Sequence, residues 1–264
     1  MRSRRTTTYR RQDEIRELVH TGVRRVEDIA ERVGVSPSTV RRDLMYLENE
    51  GKVTRTLGGA LPGIHYREQA LAERENVEPQ AKAAMAAVAA ELIPDGAATV
   101  FIDAGSSCAQ ILPYLRGRGP LTVVTRGLEI ALALADDPEL EVIVVGGRVF
   151  QNSHSLSGAL TTMVLERLSV DIAFIGCDSV HPSDGVGEPT AEEAHTKELV
   201  AHRATTSVVL AHAQKLGLHQ HAWARPPHGW VLVTDEQDAR VLDPYRVEGV
   251  RVITAPVVAE EATA

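Results

Sequence analysis

Apolar residues recur at helical spacing near the start of the chain and predict two short helices. Residues 10–21 and 26–33 each place their apolar side chains on one face. Gly22 ends the first helix, and Gly34 follows the second, where a left-handed residue would turn the chain. We expect residues 1–9, which are rich in Arg and Thr, to be disordered.

A third helix is predicted over residues 37–49. Ser36 is a strong N-cap, and Pro37 suits the first helical position. An apolar stripe that includes Val40 and Leu44 faces inward, which leaves the polar side chains on the other side. The side chains left outside or at the boundary are Ser38, Thr39, Arg41, Arg42 and Met45.

Helix, tight turn and helix form a helix-turn-helix, whose second helix presents its N-terminal half to the major groove of DNA. Arg pairs bidentately with guanine, Ser and Thr contact phosphates or bases, and a helix N-terminus favours a phosphate. A hairpin predicted over 52–60 would be a wing that grips the backbone. The candidate DNA-binding residues are Ser36, Ser38, Thr39, Arg41, Arg42, Met45, Lys52 and Arg55. Taken alone, the pattern also suits a small helical bundle with a solvated Arg pair.

Farther along the chain, short β-branched runs alternate with helical segments. This alternation predicts an α/β domain with a mainly parallel sheet. The runs are 99–102, 121–124, 141–145, 171–175, 206–210, 230–233 and 251–253, and the helices lie near 79–92, 108–115, 128–135, 159–168 and 191–203. We therefore divide the chain into a DNA-binding domain over 1–61, a linker over 62–78 and an α/β domain over 79–258.

Charge and composition agree with two domains of different kinds. Residues 1–61 carry a formal charge of +4 and the remainder −12, which together give the net −8. A basic N-terminal segment followed by an acidic remainder is typical of a DNA-binding domain fused to another domain, although ordinary surface variation gives the same balance of charge. The longest apolar runs are far too short to span a membrane, and no secretory signal is visible. With two cysteines, which we expect to be buried, the chain suits a reducing cytoplasm.

In the α/β domain, polar residues and glycines follow several predicted strands. Asp103 and a Gly-Ser-Ser turn follow one strand, Thr125 and Arg126 another, and Gly146 and Gly147 a third, with Lys215 just after a fourth. Ligands of open α/β sheets gather outside the carboxyl ends of the strands. The pattern indicates a site for a phosphate or a small polar ligand, although each element alone suits a plain helix cap or tight turn.

The N-terminal segments resemble the DeoR family of bacterial transcriptional regulators. The stretch S-P-S-T-V-R-R-D-L over 36–44 and the stretch L-E-N-E-G-K-V-T-R-T-L-G-G-A over 47–60 are similar to the signature and the wing end of that family. The resemblance implies a winged helix-turn-helix domain that binds operator DNA and acts most commonly as a repressor.

The resemblance extends over the C-terminal domain, and its matching stretches are 103–107, 122–125, 146–147, 171–178 and 193–197. It implies a Rossmann-like sensor domain, related in fold to ribose-5-phosphate isomerase, that binds a phosphorylated sugar or related metabolite and then releases DNA. The implied effector-binding residues are Asp103, Gly105, Ser106, Ser107, Thr125, Arg126, Gly146, Gly147, Asp178, Lys197, His212 and Lys215.

Two positions depart from the family pattern. Arg126 stands where the family commonly has Asn, and His212 stands where it commonly has Asp. Losing an acid and gaining an Arg is expected to make the pocket more cationic, which favours a more anionic effector such as a bisphosphate or a sugar acid phosphate. The alternative is that the pocket has drifted and binds none of the usual ligands.

Two other functions fit the sequence less well. An isomerase would need a general base, but Glu188, Glu192 and Glu193 lie at helical or loop positions where surface carboxylates are usual. A purely structural DNA packager would not need an α/β domain with a pocket. We therefore expect no enzyme activity and no cofactor. His212, His219, His221 and His228 lack the helical spacing of a zinc site, so no metal is expected either. Because operator half-sites are read in pairs, we expect a homodimer or homotetramer.

Overall fold

The computed structural model describes residues 2–49, 53–56, 58–62, 70–218 and 220–256. The chain divides into two compact units, residues 1–68 and residues 69–264, and each is described by itself. Among the described residues, no helix is long and apolar enough to cross a membrane.

The first unit consists of three helices and a hairpin. Its elements are α1 (Arg2–His20), α2 (Val26–Val33), α3 (Pro37–Asn49), β1 (Val53–Thr56) and β2 (Gly59–Pro62). Ile15, Ile29, Val40 and Leu44 meet in one apolar core with Leu47. Both α2 and α3 confirm the predicted ranges. The expectation of disorder is wrong for residues 2–9, because the helix predicted from residue 10 begins at Arg2. Met1 lies outside the described residues.

The hairpin is fixed to the loop that precedes α2. The amide of Ala60 donates to the carbonyl of Arg24 at 2.8 Å, and the amide of Val26 donates to the carbonyl of Gly58 at 3.0 Å. A Cβ atom on Gly59 would lie 2.1 Å from the oxygen of Arg24, so only glycine allows this approach. The wing is therefore held against the helix-turn-helix by backbone contacts.

The second unit is built on a parallel sheet. Its strands are β3 (Ala98–Ile102), β4 (Leu121–Thr125), β5 (Leu140–Val144), β6 (Arg148–Val149), β7 (Leu156–Ser157), β8 (Val170–Ile175), β9 (Ser179–His181), β10 (Gly185–Glu188), β11 (Ala204–Leu210), β12 (Ala222–Ala224), β13 (Val231–Thr234) and β14 (Arg251–Thr254). Seven strands of the described chain form one sheet in the order β14-β13-β11-β8-β3-β4-β5, with every pairing parallel. Each of these strands overlaps one of the predicted runs, so the predicted sheet is confirmed.

Helices follow most of these strands and cover the sheet. They are α4 (Leu71–Glu75), α5 (Pro79–Ala90), α6 (Ser106–Ala109), α7 (Leu128–Leu134), α8 (Ala159–Leu165), α9 (Ala191–Arg203) and α10 (Ala239–Val247). Neighbouring strand residues face opposite apolar clusters: Ile102 belongs to the cluster that contains Met85 of α5, whereas Phe101 belongs to the cluster that contains Val200 of α9. A sheet buried on both faces explains why its strands are rich in Val, Ile and Leu.

The structure differs from the prediction in the segment expected to be a linker, residues 62–78. Pro62 belongs to β2, and α4 lies wholly within the predicted linker. Leu71 is buried in the second unit, and its amide donates to the carbonyl of Asn152 at 2.8 Å. The division between the units falls after residue 68, inside the predicted linker, and residues 70–78 belong to the second unit.

Several other helices and strands differ from the prediction. The helix predicted near 108–115 is α6 followed by a 3-10 turn over Leu112–Tyr114. The small antiparallel sheet β12-β10-β9 and the pair β6-β7 were not predicted, and neither was α10. These strands are only two to four residues long, which is too short for an alternating pattern to show.

Truncating a core residue of the sheet is expected to destabilise the second unit. Leu210 is fully buried in β11, and Leu132 in α7 is 72% exposed, so the two make a matched pair. Leu210→Ala should lower the free energy of unfolding by about 2–5 kcal/mol. Leu132→Ala should change it by less than about 0.5 kcal/mol. Urea unfolding followed by tryptophan fluorescence measures both, because Trp223 and Trp230 lie in this unit. Equal losses would contradict the assigned core.

Candidate functional site

The exposed face of α3 carries the side chains expected to contact DNA. Gly34 caps α2 in the left-handed region at φ 70°, and its amide donates to the carbonyl of Ala30. Val40, Leu44 and Leu47 are buried, as predicted. Ser36, Ser38, Arg41, Arg42 and Met45 are exposed, and Thr39 is half-buried. Arg41 lies 3.5 Å from Glu27 of α2 in a solvent-exposed ion pair, which is weak enough to exchange for a DNA contact.

Two local interactions fix the position of α3. The hydroxyl of Ser36 accepts from the amide of Thr39 at 3.3 Å, as an N-cap does. At the middle of the helix, buried Asp43 accepts two hydrogen bonds from Arg11, at 2.6 and 3.1 Å, and one from Gln12 at 3.1 Å. The hydrogen bond with Asp43 raises the pKa of Arg11 above its usual value. Sequence reasoning missed this anchor, because a lone Asp in a helix looks like a surface residue.

The structure describes the two predicted wing residues only in part. Lys52 lies outside the described residues. The backbone of Arg55 pairs with Ala60 in the hairpin, and its side chain lies outside the described part of the chain. Their contacts with the DNA backbone therefore stay a prediction.

The polar residues of the second unit meet at the switch point of the sheet. Chain order runs outward in both directions from the neighbouring strands β3 and β8. In such sheets the switch point opens a crevice at the carboxyl ends of the strands, and ligands bind there. Asp103 follows β3, and Asp178 lies just beyond β8. The amide of Asp103 donates to the carbonyl of Phe174 in β8 at 2.9 Å, which joins the two strand ends.

Arg126 is the centre of a buried ion-pair network at this edge. Its side chain is 2% exposed, and its Nε donates to Asp103 at 2.5 Å. Its two terminal nitrogens donate to both carboxylate oxygens of Glu193 at 2.9 and 2.8 Å. Burial raises the pKa of Glu193, but the charge and hydrogen bonds of Arg126 outweigh it, so that pKa lies below its usual value. Two carboxylates, those of Asp103 and Glu193, therefore offset the positive charge of Arg126.

A second buried pair adjoins this network. The ammonium of Lys197 donates to a carboxylate oxygen of Glu188 and lies 3.8 Å from Asp103. Burial is the largest influence on Glu188 and raises its pKa to about 8. Burial alone would lower the pKa of Lys197, but Glu188 and Asp103 together raise it. With a pKa of about 8, Glu188 is mostly protonated at pH 7, so the charges of Arg126 and Lys197 are offset by the carboxylates of Asp103 and Glu193. We call Asp103, Arg126, Glu188, Glu193 and Lys197 the neutral cluster.

The neutral cluster corrects two expectations. Arg126 does not make the pocket more cationic, because Asp103 and Glu193 neutralise it. Glu188 and Glu193 are not surface carboxylates, because they are 3% and 6% exposed. One signal in the sequence could have located Glu193. Glu193 and Lys197 lie four residues apart on α9, on the face that carries the buried Ala194 and Ala201.

A second group of charges lies around Asp178. Arg74 of α4 is 3.9 Å from Asp178, and the ammonium of Lys215 donates to the carbonyl of Cys177. Lys82 of α5, which is 3% exposed, donates to the carbonyl of Arg74. His212 lies beside Lys82 and Lys215. Burial first, and then these two ammonium groups, lower its pKa to about 3, so the imidazole is neutral near pH 7. We call Arg74, Lys82, Asp178, His212 and Lys215 the cationic cluster; Arg74 and Lys82 were not predicted.

The remaining predicted residues serve partly local roles. The hydroxyl of Thr125 donates to the carbonyl of Ile102 at 2.7 Å and accepts from the amide of Gly127 at 3.0 Å. Gly105 precedes α6 at φ 116°, a conformation that glycine favours, and the following Ser106 and Ser107 are buried at the start of that helix.

The glycine pair after β5 contacts α8. A Cβ atom on Gly147 would lie 2.3 Å from the hydroxyl of Thr161 and 2.5 Å from the carbonyl of Ser157. The carbonyl of Gly146 accepts from the same Thr161 hydroxyl at 2.6 Å. Gly147 is therefore required for close packing, and its role in ligand binding stays a prediction.

The sequence also predicts buried cysteines and no metal site among the histidines. Cys108 and Cys177 are free and buried, as expected. Within the described ranges, no three His, Cys, Asp or Glu side chains are placed to hold a metal ion. His219 of the predicted histidine run lies outside those ranges.

A winged helix-turn-helix joined to an α/β unit with a charged cluster at its switch point defines a DNA-binding regulator with a sensor domain. Comparison with family models agrees: residues 11–62 match the DeoR-like helix-turn-helix domain, and residues 77–235 match the DeoR C terminal sensor domain. The chain belongs to the DeoR family of transcriptional regulators, which confirms the resemblance seen in the sequence.

Several curated relatives align over most of the chain. It is 32% identical over 195 residues to the HTH-type transcriptional regulator GlpR of Haloferax volcanii, covering 74% of this chain and 76% of the relative. It is 30% identical over 234 residues to the lactose phosphotransferase system repressor of Streptococcus mutans, covering 86% and 92%. It is 28% identical over 215 residues to a putative aga operon transcriptional repressor of Escherichia coli O157:H7, covering 79% and 78%. These relatives are named as regulators or repressors and not as enzymes, in agreement with the expected absence of enzyme activity.

Solved structures offer a more distant likeness. Ribose 5-phosphate isomerase A from Methanocaldococcus jannaschii is 20% identical with a TM-score of 0.37, covering 51% of this chain and 53% of that one.

Removing the guanidinium of Arg126 is expected to destabilise the second unit. Arg126→Met leaves Asp103 and Glu193 buried without their counter-charge, so the free energy of unfolding should fall by about 3–5 kcal/mol. Arg116, whose side chain is 74% exposed and 3.5 Å from Asp137, provides the matched control. Arg116→Met should cost less than about 1 kcal/mol. Urea unfolding at pH 7 measures both, and a wild-type value for Arg126→Met would contradict the network.

Proposed function

We propose that this DeoR-family regulator represses an operon of sugar or carbon metabolism and leaves its operator when a phosphorylated sugar or related metabolite binds. One observation carries the proposal. A DNA-reading helix with exposed Arg41 and Arg42 belongs to the same chain as an α/β unit whose charged side chains converge on the switch point of its sheet.

The proposed DNA contacts follow from the geometry of α3. Arg41 and Arg42 would read base edges in the major groove, since Arg pairs bidentately with guanine. Ser36, Ser38 and Thr39 at the helix start would contact phosphates, with Met45 against the bases or sugars. Lys52 and Arg55 would hold the backbone from the wing. A cytoplasmic homodimer or homotetramer would place two such helices on paired half-sites.

The proposed effector binds at the carboxyl ends of the strands. Asp103, Gly105, Ser106 and Ser107 would approach it from β3 and α6, and Asp178 from β8. The rest of the proposed set is Thr125, Arg126, Gly146, Gly147, Lys197, His212 and Lys215. The names of two relatives, the aga operon repressor and the lactose phosphotransferase system repressor, support an effector from sugar metabolism.

Binding of the effector can weaken DNA affinity only if the effector prefers the DNA-free arrangement of the protein. Buried ion pairs such as Arg126 with Glu193 would hold the effector site in one shape before the ligand arrives. The effector would then shift the balance between two arrangements by its contacts alone.

Arg41→Ala is expected to weaken binding to the operator by about 1–3 kcal/mol and to relax the preference for one base, because it removes a base-edge contact. Gel shifts against the promoter regions of neighbouring genes measure the effect. Arg32→Ala, an exposed arginine in the last turn of α2, is the control and should bind as the wild type does. By contrast, Lys52→Ala should weaken binding to all sequences alike and flatten the salt dependence. Unchanged operator affinity for Arg41→Ala would mean that another face of α3 contacts DNA.

A phosphorylated sugar is expected to bind the wild-type protein and to release it from its operator. Isothermal titration calorimetry across a panel of sugar phosphates, with the matching unphosphorylated sugars as controls, measures binding. Adding each compound to the gel shift measures release. Binding of an unphosphorylated sugar in preference to its phosphate would overturn the proposed effector class.

A further inference from the structure

Two arginines that precede α2 carry charges that the fold of the first unit does not use. Arg24 and Arg25 are both exposed, and neither forms an ion pair with a residue that the structure describes. By contrast, Arg11 of α1 lies 2.6 Å from the buried carboxylate of Asp43. The charges of Arg24 and Arg25 are therefore available to a partner outside the unit.

The backbone of both arginines is fixed against the wing. The carbonyl of Arg24 accepts from the amide of Ala60 at 2.8 Å, and Arg25 forms an antiparallel β-bridge with Gly59. These contacts use main-chain atoms, so they do not engage the guanidinium groups. The arginines therefore lie beside the hairpin that is proposed to hold the DNA backbone.

On its other side, the start of α2 contacts the helix that is proposed to enter the major groove. Glu27, two residues after Arg25, lies 3.5 Å from Arg41 of α3. When the second helix of a helix-turn-helix enters the groove, the first helix crosses the phosphate backbone that borders it. Arg24 and Arg25 thus lie at the start of the crossing helix, between the two elements that are proposed to contact DNA.

Arg25 is poorly suited to stabilise the helix that it precedes. It occupies the N-cap position of α2 at φ −81° and ψ 139°, and its side chain makes no capping hydrogen bond. Arginine has no hydrogen-bond acceptor, whereas Ser, Thr, Asp or Asn at this position would accept from a backbone amide of the first turn. The positive end of the helix dipole also disfavours a cation there. The stability of α2 therefore does not account for an arginine at this position, whereas binding to a polyanion does.

We propose that Arg24 and Arg25 bind phosphates of the DNA backbone and form, together with the wing, a second contact surface beside α3. The inference rests on the proposed function, because it adds two residues to the surface that binds DNA. A guanidinium group donates two parallel hydrogen bonds to a phosphate, which positions the protein without reading the base sequence. The two charges also offset Glu27 and Asp28, which follow in the first turn of α2 and would otherwise repel the backbone.

The test measures binding of the full-length protein to a duplex of mixed sequence of about 30 base pairs, which is long enough for two half-sites. Binding to such a duplex depends on phosphate contacts, and its salt dependence reports their number. Arg24→Gln and Arg25→Ser should each weaken binding roughly tenfold per bound protomer near 0.1 M salt. Each should also reduce the slope of the logarithm of the binding constant against the logarithm of salt concentration by about 0.9 per protomer.

Two control variants separate a local contact from the overall charge. Arg25→Lys keeps the charge and should keep the wild-type slope. Arg32→Gln removes an exposed arginine from the last turn of α2 and should bind as the wild type does. An equal loss in Arg32→Gln would overturn the local contact, and so would wild-type slopes in both Arg24→Gln and Arg25→Ser.

Arg25→Ser also separates DNA binding from folding. Serine supplies the N-cap acceptor that α2 lacks, so hydrogen–deuterium exchange of residues 26–33 should slow while the affinity for DNA falls. Faster exchange in this variant would mean that Arg25 supports the fold, and it would overturn the proposal. If Arg25→Ser fails to fold, Arg24→Gln still tests the contact, because the wing is held by the backbone of Arg24 and not by its side chain.

The same titrations distinguish this inference from the function on which it rests. If the wild type binds neither the mixed-sequence duplex nor the promoter regions of neighbouring genes, the proposed function fails as well. If it binds them and the two variants bind equally well, the backbone contact alone is wrong.

Discussion

The parallel sheet of the second unit brings charged side chains together at one edge, and the elements around that edge have to neutralise them. Its strands are buried on both faces, so their carboxyl ends deliver polar residues into an edge that is only partly open to water. Asp103 and Arg126 reach this edge from neighbouring strands, and neither could remain there charged without a partner. The bidentate pair between Arg126 and Glu193 supplies that partner and joins the start of α9 to the end of β4. The geometry of the sensor site thus follows from the need to neutralise charges that the sheet brings together.

The DNA-binding unit meets a similar requirement with fewer groups. Its recognition helix must expose arginines on one side and bury Val40, Leu44 and Leu47 on the other. The buried carboxylate of Asp43, held by Arg11 and Gln12, adds a directional contact to this apolar packing. Apolar packing alone tolerates small rotations of a helix, whereas hydrogen bonds to a buried carboxylate do not. The orientation of Arg41 and Arg42 is therefore set from the opposite side of the helix.

Much of this arrangement could be predicted from sequence, and the physical reason is periodicity. Seven β-branched runs predicted seven parallel strands, and apolar spacing with Ser36, Pro37 and Gly34 located α2 and α3. The sequence also located Asp103, Arg126 and Asp178 at strand ends. It did not show that Glu193 would neutralise Arg126, because that contact joins residues 67 positions apart. Arg74 escaped for a different reason: α4 is a five-residue helix in a charged segment, and its position depends on tertiary contacts such as the one from Leu71 to Asn152.

The neutral cluster also constrains how such a sensor can change during evolution. Replacing Arg126 alone leaves two buried carboxylates without this counter-charge, and replacing Glu193 alone removes one from a buried guanidinium. Each single substitution therefore gives a less stable protein. Asp103, Arg126 and Glu193 are therefore expected to change together or not at all. The residues of the cationic cluster are tied less tightly to one another, and single substitutions there meet a smaller barrier. For the proposed effector site, divergence in ligand preference is consequently expected to begin at the cationic cluster.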